Sequence, residues 1–465
     1  MTLTYGVAAL GRPTFDVPFA EQMTRQAFTA LDAAGIRTVG SRELLFDAAA
    51  AEQALADIKA AGDIDLMLIL QVTFTDATMT VTLARETTAP VAIWAVPEPR
   101  LGGRLRLNAF CGLNLAAHAL GKAGVTHGWL YAAPDAPDIA QSLTALAQPA
   151  PPTPSRAEPG PAGENAAADR VIRALAETRI GVVGQHPDGF DTCEYDDQAL
   201  KQLAGVEVVP IALDTLFDKA RAVAPDRAAA ARAQAAGSLD GLDDVDQEQL
   251  DRSFRVFCAL QDLQGEHGAK AMGVRCWPET FTEYGCAACG PMAMMNEARV
   301  PCACEADVYG ALSALMMQEL AGEPAWMADL VDLDTADDTG VLWHCGLAPL
   351  SMRDPEARAE ATIHTNRKMP LLHQFPLKPG RVTIARISQA RNQPKLTVAG
   401  AEVLRAPMAF TGTSGVLRFD RTADEVCATI MAEGLEHHFA MAYGDHRAAL
   451  RAIAGRMGLP VLELA

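Results

Sequence analysis

Short, uninterrupted apolar runs alternate with stretches of helical periodicity along the first hundred residues. Leu3–Leu10, Leu66–Val72 and Val91–Val96 are predicted strands, while Phe19–Ala34 and Thr75–Glu86 space their apolar residues as helices do. Strands apolar on both faces lie inside a sheet covered on both sides, so this alternation predicts βαβ units and a parallel sheet. Polar residues collect where the strands end, at Gln71-Val72-Thr73 and Pro97-Glu98-Pro99. That is the edge at which open parallel sheets place ligands. None of these turns carries the glycine pattern of a dinucleotide-binding or P-loop site, so the sequence gives those functions no local support.

A proline-rich stretch from Gln148 to Gly163 removes backbone donors and reads as a linker or long surface loop. The pattern restarts after it, with a helix over Ala166–Thr178, a strand over Arg179–Gly184 and a polar turn over His186–Asp191. Beyond Gly346 the texture changes. Strand-like runs at Arg381–Ile387, Lys395–Ala399 and Gly415–Phe419 are separated by Gly, Pro and Asn turns, with one helix near the end. The expectation is an α/β chain of two Rossmann-like parallel-sheet domains, residues 1–160 and 165–344, followed by a mainly antiparallel β domain at 345–465.

Composition narrows the function. The 465 residues are 49% hydrophobic and 21% charged, which sets aside bulk disorder, collagen-like and coiled-coil architectures. A net charge of −19 disfavours attraction to nucleic acid or anionic membranes. No apolar stretch approaches the roughly 20 residues that span a bilayer, and Met1–Gly6 lacks the basic and apolar regions of a secretory leader. Ten cysteines, concentrated between Cys276 and Cys345, fall short of a disulfide scaffold. A cytoplasmic enzyme of small molecules is the expectation.

The chemistry concentrates between residues 274 and 320. Val300–Cys304 is a predicted strand, and Val308, Leu312, Leu315, Met316 and Leu320 follow helical spacing up to a stop at Gly322. Glu305 then sits where a strand meets a helix N-terminus, placed to hold a cation or to abstract a proton. An ordinary capping carboxylate would occupy the same position.

Five motifs carry a family resemblance: Cys-Trp-Pro-Glu at 276–279, Ala-Cys-Glu-Ala-Asp-Val at 303–308, Leu-Trp-His-Cys-Gly at 342–346, Thr-Gly-Thr-Ser-Gly at 411–415 and His-His-Phe-Ala-Met-Ala-Tyr-Gly-Asp at 437–445. In this order they resemble the L-fucose isomerase and L-arabinose isomerase superfamily, and more closely its shorter fucose-isomerase-like branch. The resemblance implies an aldose–ketose isomerase with Mn²⁺, or Mg²⁺ or Co²⁺ in its place, held by two carboxylates and a histidine. It points to Glu305 and Asp329 as ligands and acid/base pair, with Asp332 and Asp334 as alternatives to Asp329. His438 is the implied third ligand, with His437 its neighbouring competitor. Hard oxygen ligands with one imidazole suit such ions, and a carboxylate can carry a proton between the two carbons. The resemblance also implies a homo-oligomer, a trimer or hexamer, acting on a small sugar.

Trp277, Glu279, His344, Asp188, Phe190 and His437 are the candidate sugar-pocket residues, an indole face suiting apolar C–H surface and a carboxylate suiting hydroxyls. Several readings compete with this one. Cys286, Cys289, Cys302 and Cys304 have a spacing compatible with structural zinc or an iron–sulfur cluster, although a strand would turn Cys302 and Cys304 to one face as apolar fillers. Trp343-His344-Cys345 on a strand would point His344 and Cys345 to opposite faces, against a thiol nucleophile. The acidic run from Asp240 to Glu248 lacks the glycine and glutamate of a calcium loop and reads as a solvated helix start. A sugar-binding protein without catalysis, or a lyase or epimerase of similar chemistry, would share the same α/β frame.

Overall fold

The computed structural model describes residues 2–148, 156–161 and 163–465. Most of the predicted linker, at 149–155 and 162, lies outside the described residues. Strands β1 (Thr4–Leu10), β2 (Arg37–Val39), β3 (Leu44–Leu45), β4 (Leu66–Gln71), β5 (Val91–Ala95) and β6 (His127–Tyr131) form a parallel sheet of order β2-β1-β4-β5-β6, with β3 beside β1. Every residue of β1, β4 and β5 is buried, which is why their sequences are continuous apolar runs. The helix Val17–Ala33 begins where Asp16 caps the amide of Phe19 with Pro18 in its first turn. Next comes β7 (Glu158–Pro159). It lies within the stretch read as a linker, yet it pairs with a strand at the far end of the chain.

A second parallel sheet contains β8 (Arg179–Val183), β9 (Glu207–Ile211), β10 (Ala271–Val274) and β11 (Cys302–Cys304), in the order β11-β10-β8-β9. The helix Val308–Ala321 follows and ends at Gly322 in a left-handed conformation, as its spacing predicts. The acidic run at 240–248 leads into the helix Gln247–His267, whose N-cap is Asp246.

The third sheet has ten strands: β7, β12 (Trp326–Asp334), β13 (Thr339–His344), β14 (Glu360–Thr362), β15 (Leu372–Pro376), β16 (Gly380–Ser388), β17 (Lys395–Leu404), β18 (Thr413–Phe419), β19 (His438–Tyr443) and β20 (Pro460–Glu463). Six of these close on themselves in the order β18-β13-β12-β19-β16-β17 and back to β18, every pair antiparallel. Closure removes the exposed edges that an open antiparallel sheet would leave. The expected α/β architecture with a mainly antiparallel C-terminal part is thus present. The ten-stranded sheet, however, already takes in β12 and β13, ahead of residue 345. Burial pattern could not separate them from the preceding parallel strands, since β12 and β13 are buried at nearly every position, as those strands are.

The helix Val308–Ala321 is buried on nearly every side because it lies between the two structures, packing on β10 and on β16 and β19. This fixes the carboxyl edge of the second sheet against the barrel. The loops after β1 and β4 bring the carboxyl edge of the first sheet to the same place, with Arg12 and Phe74 lining a cleft shared with Trp277, Glu305, Asp329 and His344.

Candidate active site

Glu305 is the first residue beyond β11, and its placement requires an unusual backbone. Glu305 and Ala306 both adopt left-handed conformations, with φ of 60° and 55°. Non-glycine residues there cost of order 1–3 kcal/mol each, a strain often found at functional sites. The turn is held because the Ala306 amide donates to the Val274 carbonyl (3.1 Å) and the Asp307 amide to that of Cys304 (3.1 Å). Gly273 permits the close approach: a Cβ on it would lie 3.0 Å from the Ala306 carbonyl carbon.

The other groups come from the barrel by strand register. Asp329 on β12 pairs across β19 with His438 and across β13 with Trp343. His438 Nε2 lies 3.2 Å from Asp329 Oδ1 and 3.7 Å from Glu305 Oε2. His437 Nε2 lies 3.3 Å from Glu305 Oε2, and Trp277 donates its indole N–H to Glu305 Oε1 at 3.1 Å. Single ligand atoms of Asp329, His344 and His438 converge within 4.8 Å of one another, as do those of Cys193, Glu305 and His438. These two groups share His438.

Asp307, quoted in a motif but given no role by the sequence, organises this cluster. Its carboxylate is fully buried, caps the helix through the Gly310 amide (2.8 Å), takes Arg386 Nη1 and Nη2 (2.7 and 3.1 Å) and meets His438 Nδ1 at 2.9 Å. Burial would raise its pKa, but Arg386 and His438 outweigh this and hold it far below the usual carboxylate range. Nδ1 of His438 is thereby committed as a donor, and Nε2 is directed at Glu305 and Asp329. A second carboxylate behind the imidazole is the arrangement that orients metal-binding histidines.

Electrostatics favour an ionised cluster. Glu305 is 6% exposed, and the penalty of burial is outweighed by His437 and His438, which hold its pKa low. Asp329 is held low in the same way by His344 and His438. Burial opposes the charged form of His438, but the bond to Asp307 and the nearby charge of Asp329 prevail and push its pKa well above the ordinary imidazole value. His344 is pushed down to about 4, chiefly by burial, and its Nδ1 accepts the Cys345 amide, so its proton resides on Nε2. Asp329 Oδ1 is buried without a well-aligned donor despite its nearness to His438. Two buried carboxylates, an imidazole nitrogen and an orphaned carboxylate oxygen fit a hard divalent cation.

The remaining sequence candidates divide. His344 and His437 join the cleft, and Trp277 forms one wall. Phe190 stands behind that wall, its ring 5.2 Å from Trp277 and 5.7 Å from Phe74. Glu279 is not brought into the cleft: it is tied by two bonds to Arg275, its i−4 neighbour on the same turn. Asp188 is exposed on its loop. Asp332 lies beyond a bulge in β12 and is engaged by Arg100 (2.6 Å) and Tyr131, while Asp334 caps the following turn. The four cysteines of the proposed thiolate cluster do not gather: Cys304 Sγ faces Cys276 at 2.7 Å, and all ten cysteines are free thiols.

Sequence reasoning missed Asp307, Arg386, Asn108, Arg12 and Arg367. Arg386 had a visible signal, a lone charge inside the apolar run Ile384–Ile387. Asn108 did not, because it is positioned by Glu98 at the end of β5, whose carboxylate accepts the amides of Arg106, Leu107 and Asn108 (2.6–2.8 Å).

Residues 6–151 match the N-terminal domain of the fucose/sulfoquinovose isomerase family, and residues 342–465 match the L-fucose isomerase C-terminal domain. The chain is 30% identical to a sulfoquinovose isomerase of Priestia aryabhattai over 439 residues, covering 94% of this chain and 93% of the relative. Sulfoquinovose isomerases of Alkalicoccus urumqiensis (28% identical, 86% of each chain) and of a Clostridium species (30% identical, 85% of each chain) align similarly.

Proposed function

The chain belongs to the fucose/sulfoquinovose isomerase family, a family of sugar isomerases, and from that premise we propose that it is a cation-dependent aldose–ketose isomerase whose centre is Glu305, Asp329 and His438. The observation that carries this reading is the convergence of two ionised buried carboxylates on His438 Nε2, with Asp307 fixing that imidazole from behind. Glu305, Asp329 and His438 would hold the ion. A bound divalent cation of the Mn²⁺ type supplies charge neutralisation and polarisation of two adjacent sugar oxygens.

The residues then divide the work. The indole N–H of Trp277 fixes the orientation of the Glu305 carboxylate and leaves Oε2 facing the cleft beside His437. Glu305 and Asp329 are the pair that removes a proton from C2 of an aldose and returns one to C1, since both carboxylates are held ionised and both lie beside His438 Nε2. The rings of Phe74 and Phe190 stand 6.0 and 6.3 Å from that of His437, and Phe190 packs edge to face on both Phe74 and Trp277, an apolar wall beside Glu305 Oε2. Sulfoquinovose, the sugar in the relatives' names, is the first aldose to test.

The test is a panel of aldoses with Mn²⁺, followed by product analysis. Ketose formation that stops on chelation and returns with Mn²⁺ is the expected result. Tight sugar binding without turnover would favour a binding protein, and products other than the ketose would favour a lyase or epimerase.

A further inference from the structure

The thiol of Cys193 stands at the cation centre yet takes no part in the proton transfer. Cys193 ends a short 3₁₀ turn, Asp191–Cys193, and is 1% exposed. Its Sγ lies 3.9 Å from Glu305 Oε2, and single ligand atoms of Cys193, Glu305 and His438 lie within 4.8 Å of one another. His438 Nε2 is 3.7 Å from the same carboxylate oxygen. Zinc bonds of about 2.3 Å to sulfur and about 2.1 Å to nitrogen and oxygen span tetrahedral edges of about 3.6 Å for S···O and about 3.4 Å for N···O. Both observed distances are about 0.3 Å wider than those edges, so a small closure around an ion fills three corners of a tetrahedron.

The thiol is held there by the group that also holds the imidazole. Arg386 takes both oxygens of Asp307, the carboxylate behind His438 Nδ1, and its Nη2 donates to the Thr192 carbonyl at 3.0 Å. The Cys193 amide donates to the Phe190 carbonyl at 2.9 Å and closes the turn. One guanidinium thus sets both Cys193 and His438 against Glu305. Nδ1 of His438 is engaged by Asp307, which leaves Nε2 as the nitrogen open to a cation. Oε1 of Glu305 takes the Trp277 indole, which leaves Oε2. His437 Nε2, 3.3 Å from that oxygen, and the Thr192 hydroxyl, 3.7 Å from Cys193 Sγ, are further polar neighbours.

The same Nε2 and the same Oε2 therefore face two alternative third donors. Asp329 offers a hard oxygen, which suits Mn²⁺ and Mg²⁺, whereas Cys193 offers a soft sulfur, which suits Zn²⁺ and other thiophilic ions. We propose that Cys193, Glu305 and His438 form a second, thiophilic cation site that overlaps the first, and that a zinc-type ion held there displaces the Mn²⁺-type ion. Binding breaks the S–H bond of Cys193 and forms a metal–sulfur bond, and the proton leaves to solvent. An ion in that position occupies Glu305 and His438 but leaves Asp329 without its cation, so it inhibits. The displacement rests on the cation-dependent reading above; the thiolate site stands or falls by itself.

Two substitutions separate the groups. The metal-free full chain is titrated with Co²⁺, whose bond to a thiolate gives a charge-transfer band in the near ultraviolet, and separately with Mn²⁺, followed by electron paramagnetic resonance. The wild type is expected to show both the band and bound Mn²⁺. Cys193→Ser loses the band and keeps Mn²⁺, whereas Asp329→Asn keeps the band and loses Mn²⁺. In competition, releasing Mn²⁺ from Cys193→Ser takes at least about tenfold more Zn²⁺ than from the wild type, the contribution of a thiolate ligand. Mn²⁺ held by Cys193→Ser shows that its fold is intact, and Cys193→Ala gives the same comparison if the serine variant does not fold. A band absent from the wild type, or unchanged in the Cys193 variants, overturns the site and leaves Cys193 a weak S–H donor to Glu305. Equal Zn²⁺ demand in the wild type and the Cys193 variants overturns the displacement. A wild type that shows the band but binds no Mn²⁺ overturns the overlap and the Mn²⁺ centre of the isomerase reading, not the thiolate site.

Discussion

Asp307→Asn removes one charge and almost no volume from the most enclosed part of the molecule. The wild-type carboxylate serves Arg386, His438 and the Gly310 amide at once. Asparagine still caps the helix through its carbonyl oxygen, so loss of the cap is not the effect measured. What is lost is the ionic partner of an arginine that is 1% exposed and whose other carboxylate, Glu436, stands 3.5 Å from Nε. Breaking a buried pair costs about 3–5 kcal/mol, and the residual Glu436 contact puts this case near the lower figure, about 3 kcal/mol. For a chain of this size that is a fall in Tm of about 3 °C. The second effect is on the imidazole. An amide N–H facing Nδ1 of His438 favours the tautomer with its proton on Nε2, so the lone pair with which Nε2 would hold the cation is lost. Loss of such a partner typically weakens metal binding about 10- to 100-fold. Thermal unfolding followed by circular dichroism reads the first effect, and free Mn²⁺ followed by electron paramagnetic resonance reads the second. A variant that melts with the wild type and holds Mn²⁺ within twofold of it would refute the role given to Asp307.

Three further outcomes follow from the same geometry. Asp329→Asn is expected to abolish stoichiometric Mn²⁺ binding, whereas Asp332→Asn keeps the ion and lowers Tm by a few degrees through loss of the Arg100 and Tyr131 contacts; metal analysis of both proteins checks this. His373 is 1% exposed, has no hydrogen-bond partner on either ring nitrogen and is pushed down by burial to about 4. The unfolded chain therefore takes up its proton near pH 6.5 and the folded one only near pH 4, so stability is full above about pH 6.5 and declines as pH falls toward 4. Urea unfolding between pH 7.5 and 4.5 should show that decline in the metal-free protein, with a shallower slope in His373→Leu. Finally, Mn²⁺ at a hundredfold excess over its Kd should stabilise the native state by about 2.7 kcal/mol, read as a rise in Tm that chelation reverses.

Much of this architecture is legible in the sequence because burial on both faces writes itself as unbroken apolar runs. β1, β4 and β5 show it, as does the helix ended by Gly322. Strand direction and partnership are not written in that way, so the sequence places residues 326–344 in the second parallel-sheet domain although β12 and β13 belong to the barrel. Among site residues, Glu305, Asp329 and His438 were reached through motif resemblance, and their convergence depends on the register of β12 against β19, which no local pattern encodes. Glu279 and Asp188 looked suitable by type and position. Arg275 lies four residues before Glu279 and takes both its carboxylate oxygens, and Asp188 stands exposed in its turn. Arg12 and Arg367 lie far apart in sequence, in ordinary loops, and join the cleft only because both reach Trp277.

The central claim is that Glu305 and Asp329, with His438, hold the cation and move the proton. Turnover in deuterium oxide with the Mn²⁺-loaded protein tests it most directly, by counting the solvent deuterium at C1 of the ketose formed. One deuterium per turnover in the wild type, with neither exchange nor full metal occupancy in Glu305→Gln, is the predicted result. Ketose free of solvent deuterium, or a Glu305→Gln protein that keeps its metal and its turnover, would contradict the account.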